Sequence, residues 1–387
     1  MRVGIVTHEF PPYVFGGIGV FSQNLAKALS RSGIDVLVIA GSPERAPKRS
    51  IIDDVKVIQL PRGSFPPRHL WFQLRNVNAI MRELDGCDVI HGQDCASYPL
   101  LTHCKRTGMK TPWVITFHTN PFAELRLAAT FRRGISLTDI GTYVLGFPLW
   151  DAAFRSHTKL ADRLVAVSGS LRQELCDMYD LKTSALSVVH TCVDFESLQR
   201  LKPRPRRDGL VRLVYAGRLY YRKGIAHLLE IISHLSRELG VSNFHLNIFG
   251  SGPLERTLNR YVLRNGLSEL VSFNGFVSRE RLLRGLVESD IVCVPSLYEA
   301  CPVLMIEAMC LGKPIAAFDL PFARELLGTS ASELVGRGTD AFASILKHLV
   351  NSYEDRARLG EILRSNARRF DSGKIALDYR SIYNELM

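Results

Sequence analysis

Glu299 and Glu307 stand around the start of an apolar helical stretch, in VPSLYEACPVLMIEAMCLGKPIAAFD. Where a loop enters a helix the first amides are unpaired and carry the positive end of the helix dipole. The segment Cys301, Pro302, Val303 and Leu304 can therefore face an anion while Glu299 reaches hydroxyl groups beside it. Glu307 lies about one turn further in, among Val303, Leu304, Met305 and Ile306. A carboxylate in such company needs partners, and ribose hydroxyls could supply them. The structural alternatives are a plain N-terminal helix charge for Glu299 and an exposed helix face for Glu307.

Other residues with chemical potential sit at strand ends. LVYAGRLYYRKG places Arg218 and Lys223 in a loop before a helix, where a planar fork and a mobile point charge suit a diphosphate; a solvated charged loop is the alternative. HLNIFGSGPLERTL puts Gly250 and Gly252 at a strand-to-helix turn, against which a nucleoside could lie unless the glycines serve the turn alone. In FPPYVFGGIGVFSQNLAKAL, Gly16, Gly17 and Gly19 precede a helix expected to start near Val20. They allow close backbone approach to a phosphate, although a tight turn needs the same residues. His118 ends WVITFHTN; a lone histidine there is commonly structural, but its place opposite the second-half loops favours a functional reading.

The elements that carry these residues are legible as a rhythm. Short apolar runs alternate with amphipathic helical stretches: VGIVTH, VLVIAG, VKVIQL, DVIHGQ, WVITFH and LVAVS, then LVYAG, HLNIFG, VSFNGF, IVCVPS and PIAAFD. That is the pattern of βαβ units with parallel strands covered on both faces. LKPRPRRDG, Leu201–Gly209, cannot continue a helix or a central strand and reads as a linker. The expected architecture is α/β: two doubly wound Rossmann-like domains, residues 1–200 and 210–373, facing a shared cleft. The stretch 374–387 reads as a terminal helix. Residues 121–159 lack a clear strand and read as a helical excursion over the cleft.

A chain of 387 residues with 46% hydrophobic and 22% charged residues is globular, which excludes a disordered or collagen-like polymer. Its eight cysteines contain no CxxC pair, pointing to free thiols in a reducing compartment and away from a zinc site. No run reaches the ~18–20 apolar residues that a bilayer crossing needs; the nearest, Ile140 to Phe154, is broken by Pro148 and Asp151. The net charge of +11 is spread over both halves and favours anionic partners. Nucleic-acid binding has only this charge behind it, with no recognition motif.

Taken in order, GGIG, TFH, GRLYYRKG, FGSGP and EACPVLMIEAM resemble the retaining glycosyltransferases of family 4, with the two-domain GT-B fold, and the resemblance covers essentially the whole chain. It implies transfer of a sugar from a nucleoside-diphosphate donor with retention of configuration, the donor lying mainly on the second domain, the acceptor mainly on the first, and the terminal helix crossing back to the first domain. Arg218 and Lys223 would serve the donor diphosphate, Glu299 the donor-sugar hydroxyls and Glu307 the ribose. Gly16 and Gly17 would face the same phosphates, and His118 would lie near the transferred sugar. The chain departs from the family pattern at Thr191 and Cys192, where Asn-Gly often precedes Val-Asp, and at Ala300 and Cys301, where Gly-Phe is frequent. These departures bear on donor preference and loop shape, since no charged group is lost.

With cations and helix amides to stabilise the leaving diphosphate, and no Asp-x-Asp pair to hold a bridging ion, the expectation is a metal-independent enzyme without a cofactor. Front-face substitution and a covalent intermediate both fit retention. Expected partners are a nucleotide sugar, a glycan or lipid-linked acceptor and an anionic membrane surface, met from the cytoplasm. For the last, Arg126, Arg132, Arg133, Arg155 and Lys159 flank the apolar Ile140–Phe154 run; the alternative is that Tyr143, Val144, Leu145, Phe147 and Leu149 pack into the first domain's core while the cations are solvated. The rivals are a sugar-nucleotide 2-epimerase of the same fold and a non-catalytic nucleotide-sugar-binding protein.

Overall fold

The computed structural model describes residues 1–14, 16–62, 68–94, 97–120, 122–123, 126, 137–206, 209–237 and 241–387. The chain divides into two units: Met1–Pro121, Val144–Asp194 and Phe370–Met387 form the first, and Phe122–Tyr143 with Phe195–Arg369 form the second.

The first unit is built on eight strands: β1 (Arg2–Thr7), β2 (Asp35–Ser42), β3 (Lys48–Ile52), β4 (Val55–Pro61), β5 (Val89–Gln93), β6 (Trp113–Phe117), β7 (Arg163–Ala166) and β8 (Leu186–Val188). They lie in the order β3-β4-β2-β1-β5-β6-β7-β8, parallel except for β3. β5 and β6 are buried at every position and β1 at every position after Arg2; β1 and β6 are largely apolar, whereas β5, VIHGQ, also buries His91 and Gln93. Strand order reverses between β1 and β5, so the loops that leave these strands meet at a topological switch point. The terminal helix, Ser372–Asn384, is capped by Asp371, whose side chain accepts from Gly373 N at 3.0 Å. Its Ile375, Ala376, Tyr379, Ile382 and Tyr383 share one core with Phe21, Leu25 and Leu29 of the helix Gly17–Arg31.

The second unit carries six parallel strands: β9 (Val211–Ala216), β10 (Phe244–Phe249), β11 (Val271–Phe273), β12 (Ile291–Val294), β13 (Ile315–Phe318) and β14 (Val335–Gly336). Their order is β11-β10-β9-β12-β13-β14, with the switch point between β9 and β12.

Composition marks Leu201–Gly209 as the linker, yet the contacts change hands earlier, between Asp194 and Phe195, and return between Arg369 and Phe370. The cause is burial. The short helix Phe195–Gln199 tucks Phe195 and Leu198 into the second unit, where the Arg368 guanidinium lies 5.2 Å from the Phe195 ring and Gln199 donates to the Cys310 carbonyl. On the other side, Val193 N donates to Phe370 O (3.1 Å) and Ser372 N to Val193 O (2.8 Å), tying both crossings to the first unit.

Of the expected excursion 121–159, Leu137–Leu160 is a helix with Pro148 inside it, while Arg132 and Arg133 lie outside the described residues, as do the side chains of Tyr143, Val144, Leu145, Phe147 and Leu149. Phe154 faces inward: its ring stacks on Tyr179 at 3.9 Å and packs on Phe117 at 4.7 Å. Arg155 is paired with Asp151 at 2.9 Å. Among the described residues no helix is long and apolar enough to cross a membrane, and the described cysteines are all free and buried.

Candidate functional site

In the second unit the loops after β9, β10 and β12 converge on the switch point. β9 is followed by Gly217, whose N–H donates to Phe249 O at 3.0 Å, and Leu219 N donates to Ser251 O at 3.0 Å, so the first two loops are stitched backbone to backbone. This contact explains the glycines. A Cβ on Gly250 would lie 1.9 Å from the Gly217 carbonyl oxygen, and one on Gly252 would lie 2.5 Å from that of Leu219. Their missing side chains admit a neighbouring loop.

Arg218 projects from this seam and is exposed. Its carbonyl accepts from the buried Tyr215 hydroxyl (3.0 Å), and its guanidinium lies 5.6 Å from the Tyr220 ring centroid. Lys223 ends the turn Tyr221–Lys223 and donates to Glu299 Oε1. Ser296 Oγ donates to the same oxygen at 2.8 Å. No partner of Oε2 is found among the described residues, which leaves it open to a ligand hydroxyl. Burial alone would raise the Glu299 carboxyl, but the Lys223 and Arg222 charges and the hydrogen bonds from Lys223 and Ser296 outweigh it, so the group is held below the ordinary carboxylate range.

Beyond Glu299, Cys301 is buried and Pro302 stands at the N-cap of the helix Val303–Cys310 without a side-chain cap. The first intrahelical bond runs from Met305 N to Pro302 O (3.1 Å), downstream of the amides of Val303 and Leu304. Among the described residues the unpaired amides at this helix start are those of Val303 and Leu304, Pro302 having no N–H to offer. Glu307, by contrast, is not on an exposed face. It is 1% exposed, and both its oxygens are held by Arg279, one of them at 3.0 Å. Arg279 was not legible as a site residue: it lies 28 positions away on another helix, Arg279–Glu288, and no local spacing couples the two. Partial desolvation on the Glu307 side works against its charge, and Glu307 more than compensates, although the rest of the Arg279 side chain is exposed.

The first unit holds the remaining candidates. The helix expected near Val20 begins at Gly17, with Gly16 as an extended N-cap. The Gly16 N–H already donates to Glu9 Oε2 at 2.8 Å, and His8 Nε2 lies 3.4 Å from Glu9 Oε1. A carboxylate therefore stands at this helix start, where the glycine pattern pointed to a phosphate. Gly16 and Gly17 are at the start of the helix, but the amide of Gly16 is in use. His118 follows β6. Its backbone N–H donates to Asp94 Oδ1 (2.8 Å), its ring meets Phe21 edge-on at 4.8 Å, and its Nε2 lies 2.6 Å from Gln93 Oε1. Burial, with His91 and His8 nearby, lowers its pKa to about 3, so the ring is neutral.

Comparison with known proteins agrees with this architecture. The Glycosyltransferase Family 4 description matches residues 15–197, and Glycosyl transferases group 1 matches residues 200–366. An uncharacterised glycosyltransferase of Methanocaldococcus jannaschii is 26% identical over 84% of this chain and 83% of its own. Among solved structures, sucrose-phosphate synthase from Thermosynechococcus elongatus superposes with a TM-score of 0.81 at 18% identity, covering 100% of this chain and 99% of that one. Anabaena HepE, solved in complex with UDP and glucose, gives 0.74 at 16% identity and covers 100% of both. The chain belongs to the glycosyltransferases of family 4 and has the GT-B fold.

Proposed function

We propose that this glycosyltransferase moves a hexose-type sugar from a nucleoside-diphosphate donor to a glycan, lipid-linked or small-molecule acceptor, with retention of configuration. The observation that carries the reading is the grouping around Glu299. A carboxylate with one oxygen held by Lys223 and Ser296 and the other open lies beside unpaired helix amides, on the same loop system as Arg218. Glu299 would grip donor hydroxyls while Arg218, Lys223 and the amides stabilise charge as the diphosphate leaves. Glu307, fixed by Arg279, would meet the ribose, and His118 would accept a hydroxyl of the transferred sugar. The cations belong to the chain itself, so the reading needs neither metal nor cofactor. That a GT-B neighbour was solved with UDP and glucose supports a nucleotide sugar as the ligand class.

The test is a panel of UDP-, GDP- and ADP-sugars against thermal unfolding, followed by measurement of nucleoside diphosphate released with candidate acceptors. A matched donor at a hundred times its dissociation constant adds about 2.7 kcal/mol of stability. Protection by no nucleotide sugar would overturn the reading. The net charge of +11 further supports an acceptor presented at an anionic surface. Sedimentation with anionic and neutral vesicles at low and high salt tests that part, and indifference to lipid charge and salt would reject it.

A further inference from the structure

Behind His118 runs a buried chain of polar side chains that the proposed transfer does not use. Gln93 Oε1 lies 2.6 Å from His118 Nε2, and Gln93 Nε2 lies 3.4 Å from His91 Nε2. His91 Nε2 is also 2.7 Å from Thr116 Oγ1, and its Nδ1 is 2.7 Å from the Tyr383 hydroxyl. Thr116 Oγ1 is in turn 2.9 Å from the Tyr379 hydroxyl. Gln93, His91 and Thr116 are each no more than 1% exposed, as are both tyrosines, and the tyrosines come from the terminal helix. The first unit thus contains a continuous polar path from that helix to the one candidate residue on β6's end.

An amide oxygen can only accept, so Gln93 Oε1 takes a hydrogen bond from His118 Nε2–H, and its NH2 group donates to His91 Nε2. That nitrogen then carries a lone pair, which also accepts from the Thr116 hydroxyl. His91 is left with its proton on Nδ1, donated to the Tyr383 oxygen, while Tyr379 donates to Thr116. Every link is used in one consistent sense. We infer that Gln93, backed by His91 and the terminal-helix tyrosines, is a positioning residue that fixes His118 as the Nε2–H tautomer, so that its Nδ1 meets the ligand as a bare acceptor. The chemical class that such an atom recognises is a hydroxyl donor; an anionic phosphate oxygen would be repelled by its lone pair. Burial that lowers both imidazoles to about 3 keeps the pattern neutral throughout the physiological range. The assignment of a sugar hydroxyl to His118 rests on the proposed function, whereas the tautomer does not.

The experiment is two-bond nitrogen–proton NMR on the full chain labelled at histidine nitrogens, with the His118 signals identified by their loss in His118→Gln. Wild type should show a protonated Nε2 and an unprotonated Nδ1. Gln93→Leu should release the tautomer and lower kcat roughly ten- to a hundredfold, the scale of losing the partner that orients a functional imidazole, with nucleoside-diphosphate affinity unchanged. Gln93→Glu, which still accepts at this position but no longer donates to His91, should keep His118 Nε2 protonated. A wild-type His118 protonated on Nδ1 overturns the inference even if Gln93→Leu does not fold, and so does a Gln93→Leu spectrum identical to wild type. Full turnover in His118→Ala would remove the sugar contact from the proposed function while leaving the tautomer result standing.

Discussion

Lys223 and Glu299, 76 positions apart in sequence, share a single carboxylate oxygen, and Ser296 is bonded to the same atom. Cation and carboxylate thus form one unit, in which Lys223 positions Glu299 and, in the proposed function, also faces the leaving group. Replacing either by Ala should lower the transfer rate by roughly two to three orders of magnitude, the scale of losing one preorganised group at a developing charge. The two losses should not add: the double variant is expected near the worse single one, because each single change already breaks the unit. Steady-state rates of the three variants check this, and fully multiplicative losses would show that the residues act independently.

Arg279 and Glu307 form a pair with unequal sides. Glu307 is 1% exposed, whereas the Arg279 side chain is 41% exposed. Arg279→Ala strands a buried carboxylate and should cost on the order of 3 kcal/mol of stability. Glu307→Ala leaves a guanidinium that water can reach, and should be cheaper to the fold while weakening nucleotide binding more than turnover. Urea unfolding and nucleoside-diphosphate titration of both variants separate the effects. Equal destabilisation would contradict the asymmetry.

Much of this fold is readable because parallel strands covered on both faces are predominantly apolar; IVCV of β12 is buried at all four positions. β3 escapes that logic. KRSII is a half-exposed antiparallel edge, and its signal is instead the turn Asp53–Asp54, both at positive φ (51° and 62°), which is the geometry of a tight hairpin. The prolines of Leu201–Gly209 mark where secondary structure stops, but a boundary between cores depends on where Phe195 and Leu198 are buried, and that is a tertiary fact. The same division holds at the site. Arg218, Lys223 and Glu299 are legible because loops at the carboxyl ends of strands flanking a switch point are where ligands bind. Arg279, Gln93 and Glu9 are not, because each is defined by a partner that local spacing does not specify.

Gly250 separates a packing role from a ligand-facing one. Its φ of +131° opposes any side chain, and so does the Gly217 carbonyl oxygen, which would stand only 1.9 Å from a Cβ at this position. Gly250→Ala should therefore destabilise the second unit by roughly 2–4 kcal/mol even with no ligand present. Thermal unfolding of the apo protein checks this. A variant with unchanged stability but weakened nucleotide binding would restore the glycine to the ligand.

Buried histidines set a pH dependence of stability. His91 and His157 are fully buried, and burial lowers each from 6.5 to about 3. Neither ring nitrogen of His157 has a hydrogen-bond partner among the described residues, and its ring sits edge-on to Tyr98 and Phe117. In the unfolded chain both imidazoles take up a proton as pH falls through 6.5, while in the folded chain they stay neutral until about 3. The unfolded state binds more protons over that interval, so stability is fully present above pH 6.5 and declines as pH falls, by about 1.4 kcal/mol per unit for each histidine. Unfolded carboxyl groups titrate only near pH ~4, so the window from about 6.5 down to about 5 isolates the histidines. At about pH 5 the pH dependence of stability, read from urea midpoints, should correspond to uptake of about three protons on unfolding, one each at His91, His157 and His118, whose ring is lowered to about 3 as well. His157→Phe should lower the uptake by one and, by removing two unpaired nitrogens from an aromatic pocket, should not cost stability at neutral pH. An unchanged slope in that variant would mean that His157 is solvated in the folded protein.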